Sequence, residues 1–146
     1  MKKYLVIGNP IDHSLSPKLH NYWFASNKIN AIYKKHKANE EELKNLILQV
    51  KEKKISGINV TVPFKKKVIP YLDELSLEAS KTQSVNTIYL NNNKTVGHNT
   101  DIDGFELSIK DIKFDVNNKT IFILGAGGVV SSLIFSLYRM GASKII

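Results

Sequence analysis

Two neutral hydrogen-bonding side chains and an amine crowd the short run Asn59-Val60-Thr61-Val62-Pro63-Phe64-Lys65. In an extended strand, Asn59 and Thr61 share one face while Val60 and Val62 take the other. Pro63 cannot donate to a sheet ladder, so the strand should end there and deliver Lys65 beside the polar face. Such a group of donors and acceptors suits a polyol or a hydroxy acid. The competing reading is a surface strand that ends in a solvated cluster, Lys65-Lys66-Lys67. A second polar pair, Ser14-Leu15-Ser16, precedes Pro17. In an extended segment both hydroxyls would face one ligand group; alternatively Ser16 is only a helix N-cap with proline at the first helical position. Further on, Asn86 begins one arm of an expected hairpin and Asp101 ends the other. Pairing would bring the two together, unless Asp101 serves only to cap the helix expected over 102–110.

Glycines mark another kind of site. The apolar run Thr120-Ile121-Phe122-Ile123-Leu124 leads into Gly125-Ala126-Gly127-Gly128-Val129-Val130 and then a helical stretch. A Gly-x-Gly turn between a buried strand and a helix is the opening of a dinucleotide-binding unit. Its glycines admit a pyrophosphate close to the backbone, and the helix N-terminus favours the negative charge. Val130 stands where a glycine or alanine is usual.

These residues need a scaffold, and the chain has the composition to build one. It has 146 residues, of which 42% are hydrophobic, enough for one domain or for one domain and part of another. Cysteine is absent, which excludes disulfides and thiolate metal sites; no metal site is expected. No stretch reaches the roughly 20 apolar residues of a membrane span, and the N-terminal apolar run is too short for a signal peptide. A soluble, cytoplasmic protein without a membrane partner is the expectation. The net charge of +8 comes almost wholly from lysine, with Arg139 the sole arginine. Because the lysines are dispersed among glutamates and are not interleaved with stacking aromatics, nucleic acid is not the expected partner. The charge instead would attract a small anionic substrate.

Periodicity supplies the elements. Tyr4–Ile7 and Ile29–Lys37 read as strands, and a helix is expected from Lys18 to Phe24 between them. Over Glu40–Lys53, Leu43, Leu46, Ile47 and Val50 fall at helical spacing, behind an N-cap at Asn39 with acids in the first turn. With the strand from Gly57, this is the alternation of an α/β fold with a mainly parallel sheet and covering helices. Ligands gather at the carboxyl ends of such strands, where both the serine pair and Lys65 fall. A helix interrupted at Pro70 is expected over Val68–Ser80, then strands over Ser84–Leu90 and Thr95–Asp101 about the turn Asn91-Asn92-Asn93. After a polar linker, Asp111–Asn118, comes the first β-α unit of an incomplete Rossmann-like domain. The expected division is 1–101 for substrate, 102–118 as connecting helix and linker, and 119–146 for cofactor.

Taken together, the motifs resemble the shikimate dehydrogenase family in order and spacing. Gly8-Asn9-Pro10-Ile11-x-His13-Ser14-x-Ser16-Pro17-x-x-His20-Asn21 looks like its substrate signature. Asn59-Val60-Thr61-Val62-Pro63-Phe64-Lys65, Val85-Asn86-Thr87 and Asn99-Thr100-Asp101 resemble its next three motifs, and Gly125-Ala126-Gly127-Gly128 its nucleotide loop. The resemblance implies NADP-linked, reversible reduction of 3-dehydroshikimate to shikimate in aromatic amino-acid biosynthesis. It implies that Ser14 and Ser16 hold the substrate carboxylate and that Thr61, Asn86 and Asp101 meet ring hydroxyls. Lys65 and Asp101 would form the catalytic pair, Lys65 also contacting substrate, and Gly125, Ala126, Gly127, Gly128 and Val129 would bind the cofactor.

Departures from the family pattern set the alternatives. Val129 and Val130 replace small residues after the glycines, and Leu77 stands where the family often has an acid, with Glu78 adjacent. The family's later Asn-Arg-Thr segment for the adenosine 2′-phosphate has no counterpart, so a truncated chain is expected. A quinate or shikimate dehydrogenase using NAD, and a shikimate-binding domain that does not complete turnover, are the competing functions; a homodimer is left open as the assembly.

Overall fold

The computed structural model describes residues 1–146. Its first half alternates strand and helix: β1 (Lys2–Gly8), α1 (Ser16–Ser26), β2 (Ala31–Lys37), α2 (Leu43–Lys51) and β3 (Gly57–Val60). There follow β4 (Glu74–Leu75), α3 (Leu77–Thr82), β5 (Thr87–Asn91), β6 (Lys94–His98) and α4 (Asp101–Asp111). The chain closes with β7 (Thr120–Ile121), α5 (Val130–Arg139) and β8 (Lys144–Ile145). The first six strands form one sheet in the order β2-β1-β3-β5-β6-β4, and β7 and β8 form a separate pair. β1 lies parallel to both β2 and β3, the arrangement that crossover connections through α1 and α2 allow. β5 then enters antiparallel to β3 and makes a hairpin with β6.

The buried face of α2 is the one its periodicity specifies: Leu43, Leu46, Ile47 and Val50 are all enclosed. They pack with Leu5, Ile7, Ile58, Val60 and Ile88 of the sheet in a single cluster of 15 buried residues. Each isoleucine taken fully from water contributes about 1.5–3 kcal/mol. Asn39 and Glu42 form a reciprocal capping box before α2: the Asn39 amide donates to Glu42 Oε2 at 2.8 Å, and the Glu42 amide donates to Asn39 Oδ1 at 3.0 Å. Residues 40–42 form a tighter turn, with the Leu43 amide donating to the Glu40 carbonyl at 3.3 Å, so the α-helix proper, Leu43–Lys51, is shorter than the expected 40–53. Strand β2 lies at the sheet edge and carries exposed Lys34, Lys35 and Lys37, charges that discourage a further strand from pairing there.

The structure departs from expectation in three further places. The expected helix over 68–80 is broken into a 3₁₀ turn at Ile69–Tyr71, the short edge strand β4 and α3. Pro70 has no amide to continue an α-helix, and Ser76 restarts one by accepting the Ala79 N–H at 3.2 Å. The segment before α1 is a turn, with the Ser14 amide donating to the Ile11 carbonyl at 3.0 Å and Leu15 in the helical region. Finally, the run Thr120–Leu124 pairs only briefly, and Leu124 is 98% exposed. Helices α4 and α5 flank the run without closing on it, leaving an apolar cavity of about 330 Å³ lined by Ile109, Ile121, Ile123, Leu124, Leu133 and Leu137.

Candidate active site

Six chain segments converge on a polar cavity of about 240 Å³ lined by Ser16, His20, Tyr33, Asn59, Thr61, Lys65, Asn86 and Asp101 together with Val6 and Val60. Strand β3 presents Asn59 to it because Ile58 and Val60 point the other way into the core. Thr61, just beyond the strand, is fixed by its amide donating to the Ile7 carbonyl at 2.9 Å. The Lys65 carbonyl accepts the Val85 amide at 2.9 Å, which fastens the lysine turn to the start of the hairpin.

Lys65 Nζ donates to Asp101 Oδ2 at 2.5 Å, with the two side chains only 14% and 23% exposed. Partial burial distinguishes this pair from ordinary surface ion pairs, which contribute little. The other Asp101 oxygen, Oδ1, accepts from Asn86 Nδ2 at 2.9 Å. Thr100, not Asp101, occupies the N-cap position of α4, so the carboxylate is directed at Lys65 and Asn86 while its residue begins the helix. Its place in the first helical turn is itself favourable for a negative charge. Lys66 and Lys67 are exposed, and Lys67 is bound to Glu40 on the surface. The solvated-cluster reading thus holds for those two lysines and fails for Lys65.

Asn86 is held from several sides. Its Oδ1 accepts the Thr100 amide at 3.0 Å and its Nδ2 also donates to Thr100 Oγ1 at 2.9 Å, while its carbonyl accepts the Val60 amide at 2.8 Å. Asn59 is fixed likewise: Nδ2 donates to the Asn86 carbonyl at 3.2 Å and to Thr87 Oγ1 at 3.1 Å, and Oδ1 accepts from the Tyr33 hydroxyl at 2.7 Å. Tyr33 is buried, which pushes its phenol pKa up and keeps it a neutral donor. His20 stacks flat on Tyr33, with ring centroids 4.2 Å apart and planes 4° from parallel. Burial lowers the His20 pKa, so near neutral pH the cavity wall there is uncharged.

Among the residues singled out from sequence, Ser16, Thr61, Lys65, Asn86 and Asp101 meet in one cavity. Ser14 does not line it; its Oγ accepts the Ser16 amide at 3.4 Å, because the turn replaces the extended segment that would have aligned both hydroxyls. Ser16 is the first residue of α1, not its N-cap, and no side chain caps that helix. His20 and Tyr33 join the wall without being candidates from sequence. His20 lies on the helix following the serine pair and is legible there, but nothing local to Tyr33 distinguishes it from an edge-strand core residue.

The glycine loop stands apart, on the α5 side of a second cavity of about 330 Å³ whose wall includes Val62, Pro63, Lys65, Lys66, Lys67 and Gly128. Gly125 has φ +114°, a conformation other residues rarely adopt, and a Cβ at Gly125, Gly127 or Gly128 would meet only open space. The Gly127 carbonyl accepts the Val130 amide at 3.0 Å and so begins α5. Val129 remains 39% exposed.

Residues 6–88 match the family described as the shikimate dehydrogenase substrate binding domain. The chain belongs to that family. It is 57% identical over 144 residues to the NADP(+) shikimate dehydrogenase of Pelagibacter ubique (strain HTCC1062), covering 99% of this chain and 54% of that relative. The solved shikimate dehydrogenase of Aquifex aeolicus superposes with a TM-score of 0.92 at 42% identity, over 99% of this chain and 54% of that one. The Thermus thermophilus shikimate 5-dehydrogenase, solved with NADP(H) and shikimate, gives a TM-score of 0.90 at 29% identity, over 99% and 55%. The chain spans about half the length of the curated relatives it matches. No helix of this substrate-binding family member is long and apolar enough to cross a membrane.

Proposed function

We propose that the chain supplies the substrate side and the opening nucleotide loop of an NADP-dependent shikimate dehydrogenase, catalysing reversible reduction of 3-dehydroshikimate to shikimate in the cytoplasm. The observation that carries this reading is the Lys65–Asp101 pair at 2.5 Å in the wall of a cavity otherwise lined by neutral hydrogen-bonding groups. Residues 1–101 act on the substrate in this reading, 102–118 connect, and 119–146 open the cofactor side. Ser16, with Ser14 behind it, holds the substrate carboxylate. Thr61, Asn86, Asp101 and Asn59 meet the ring hydroxyls; both amide hydrogens of Asn59 are engaged, so it meets the substrate through the one Oδ1 lone pair that the Tyr33 hydroxyl leaves open.

Reduction at the ring carbonyl leaves an alkoxide, and the Lys65 ammonium supplies both a positive charge and a proton at that oxygen. Asp101 orients the ammonium through Oδ2, while its Oδ1 is held by Asn86. In the reverse direction the pair accepts the hydroxyl proton. The nicotinamide cofactor, when bound, supplies or accepts the hydride. Gly125, Ala126, Gly127, Gly128 and Val129 are the residues that would hold it, and the loop suits the role chemically. Its glycines leave the backbone uncovered, it opens the ten-residue helix α5, and lysines face it across the second cavity.

Two measurements test the proposal on the 146-residue chain: titration calorimetry with shikimate and an NADP-dependent absorbance assay. Heat of shikimate binding that disappears when Asp101 and Lys65 are both replaced by alanine supports the substrate site; absence of any binding by the unaltered chain refutes it. Where the relatives' full-length arrangement is assayed, Lys65→Ala should lower turnover about 10²–10³-fold. Unchanged turnover would remove Lys65 from the chemistry.

A further inference from the structure

We propose that Asn99 is a positioning residue that couples the seat of helix α5, behind the glycine loop, to the Asp101 carboxylate. The inference rests on the substrate-site reading above. Asn99 lies in the link between β6 and α4 and is completely buried. Its Nδ2 donates to Thr82 Oγ1 on α3 at 3.0 Å and to Ser132 Oγ on α5 at 2.8 Å. Its Oδ1 accepts the Asp101 backbone amide at 3.0 Å. One side chain therefore joins three helices at the residue whose carboxylate meets Lys65.

The orientation of this amide is determined by its partners. Thr82 Oγ1 already donates to the Glu78 carbonyl at 2.7 Å, so it can only accept from Asn99. Turning the Asn99 amide over would set its oxygen against the Thr82 lone pairs and its NH₂ against the Asp101 N–H. An apolar residue of similar size would orphan the Asp101 amide in a site closed to water, a cost that explains why a polar residue stands there. Helix α5 meets this point through a small-residue face: Ser132 and Ser136 are both completely buried, and Ser136 Oγ donates to the Ile102 carbonyl at 3.4 Å. Arg139, one turn on, ties the same helix to α4 through Glu106 at 2.6 Å and Asp103 at 3.0 Å. Movement of α5 is thereby transmitted to the 99–102 segment by buried, saturated bonds. By reciprocity, occupancy of the glycine loop and occupancy of the substrate cavity influence each other through this link.

The experiment is a double-mutant cycle on the 146-residue chain, read by shikimate calorimetry. Asn99→Ala should weaken shikimate binding about tenfold in the native background and less than about twofold in an Asp101→Ala background, because its effect passes through Asp101. Equal losses in both backgrounds would show a general structural effect and overturn the proposal. A milder pair covers the case in which Asn99→Ala does not fold. Ser132→Ala, which cuts the α5 end of the link, should weaken shikimate by about threefold, and Ser143→Ala, which loses only a hydrogen bond to the Lys119 carbonyl beyond the far end of α5, should leave it unchanged. Identical affinities for these two overturn the proposal. If the unaltered chain binds no shikimate, the substrate-site reading falls and the proposal with it; if it binds while Asn99→Ala and Ser132→Ala bind equally well, only the proposal falls.

Discussion

Two glycine-to-alanine changes in this chain should move stability in opposite directions, and the difference is set by where the added carbon goes. Gly8 ends β1 and is buried against the site. A Cβ there would sit 2.6 Å from Thr61 Cγ2, 3.0 Å from Ile11 Cδ1 and 3.1 Å from the Val62 carbonyl oxygen. None of these neighbours yields easily. Thr61 is short and β-branched, with its amide bonded to the Ile7 carbonyl, and the Val62 carbonyl accepts the Asn9 amide at 3.0 Å. Overpacking of this kind costs about 1–3 kcal/mol, while alanine recovers about 0.4–1 kcal/mol by narrowing the unfolded ensemble. A contact as short as 2.6 Å puts the cost at about 2–3 kcal/mol, so the net is a loss of about 1–2.6 kcal/mol, or a fall of about 2–10 °C in Tm at this chain length.

Gly104 provides the control. It lies exposed within α4, and a Cβ there meets nothing within 4 Å. Gly104→Ala should stabilise by about 0.5–1 kcal/mol, the ordinary helix propensity difference. Urea titration of both variants measures the signs, and shikimate calorimetry gives a second readout: Gly8→Ala displaces Thr61 from the cavity wall and should weaken binding, whereas Gly104→Ala should not. If Gly8→Ala is as stable as the unaltered chain, the close approach of β1 to Thr61 does not exist and the argument is refuted.

Further predictions concern single groups. Tyr33→Phe removes the donor that holds Asn59 Oδ1, so shikimate affinity should fall by about three- to tenfold, as loss of one net hydrogen bond of about 1 kcal/mol implies; unchanged affinity would mean that Asn59 is oriented without it. Asp73 is bonded to Lys51 at 2.8 and 3.0 Å and accepts the Thr95 amide and hydroxyl at 2.8 and 2.9 Å, which holds its pKa at about 2, below the ordinary carboxylate range. A carboxyl whose folded pKa is depressed stabilises above its unfolded value and loses that contribution as pH falls toward about 2. Asp73→Asn should therefore lower stability at neutral pH and flatten the acid limb of a stability–pH curve; an acid limb as steep as before would exclude Asp73 as its source.

Much of the site can be read from the sequence because its residues stand at fixed offsets from strand ends. Asn59, Thr61 and Lys65 are ordered by strand alternation followed by a proline, a rule that acts within a few residues. Ser16 is reached the same way, whereas alternation misplaces Ser14 because the Ile11–Ser14 turn has already bent the chain. The breaking of 68–80 into three pieces is signalled only by Pro70, since β4 exists by virtue of pairing with β6, a strand about twenty residues later. Tyr33 and Asn99 carry no usable local mark. Tyr33 acts through Asn59, and the Asn99 amide nitrogen through Thr82 and Ser132, all more than fifteen residues away; only the Asn99 Oδ1 bond to the Asp101 amide is local, and a short Asn-x-Asp turn of that kind is too common to mark a site.

The meeting of Lys65 with Asp101, 36 residues apart, follows from a reversal of strand direction. β1 and β3 run parallel, so the turns after both, carrying Ser16, Thr61 and Lys65, open on one edge of the sheet. Had β5 continued the parallel pattern, its leading residue, Asn86, would have fallen on the opposite edge. Because β5 runs antiparallel to β3, its start lies beside the end of β3, and the Asn86 carbonyl accepts the Val60 amide there at 2.8 Å. The hairpin then returns β6 to the same edge, with Asn86 donating across the hairpin to Asp101. The antiparallel insertion is thus what converts a strand-end lysine into half of an ion pair, and a purely parallel sheet of the same strands would leave Lys65 facing solvent.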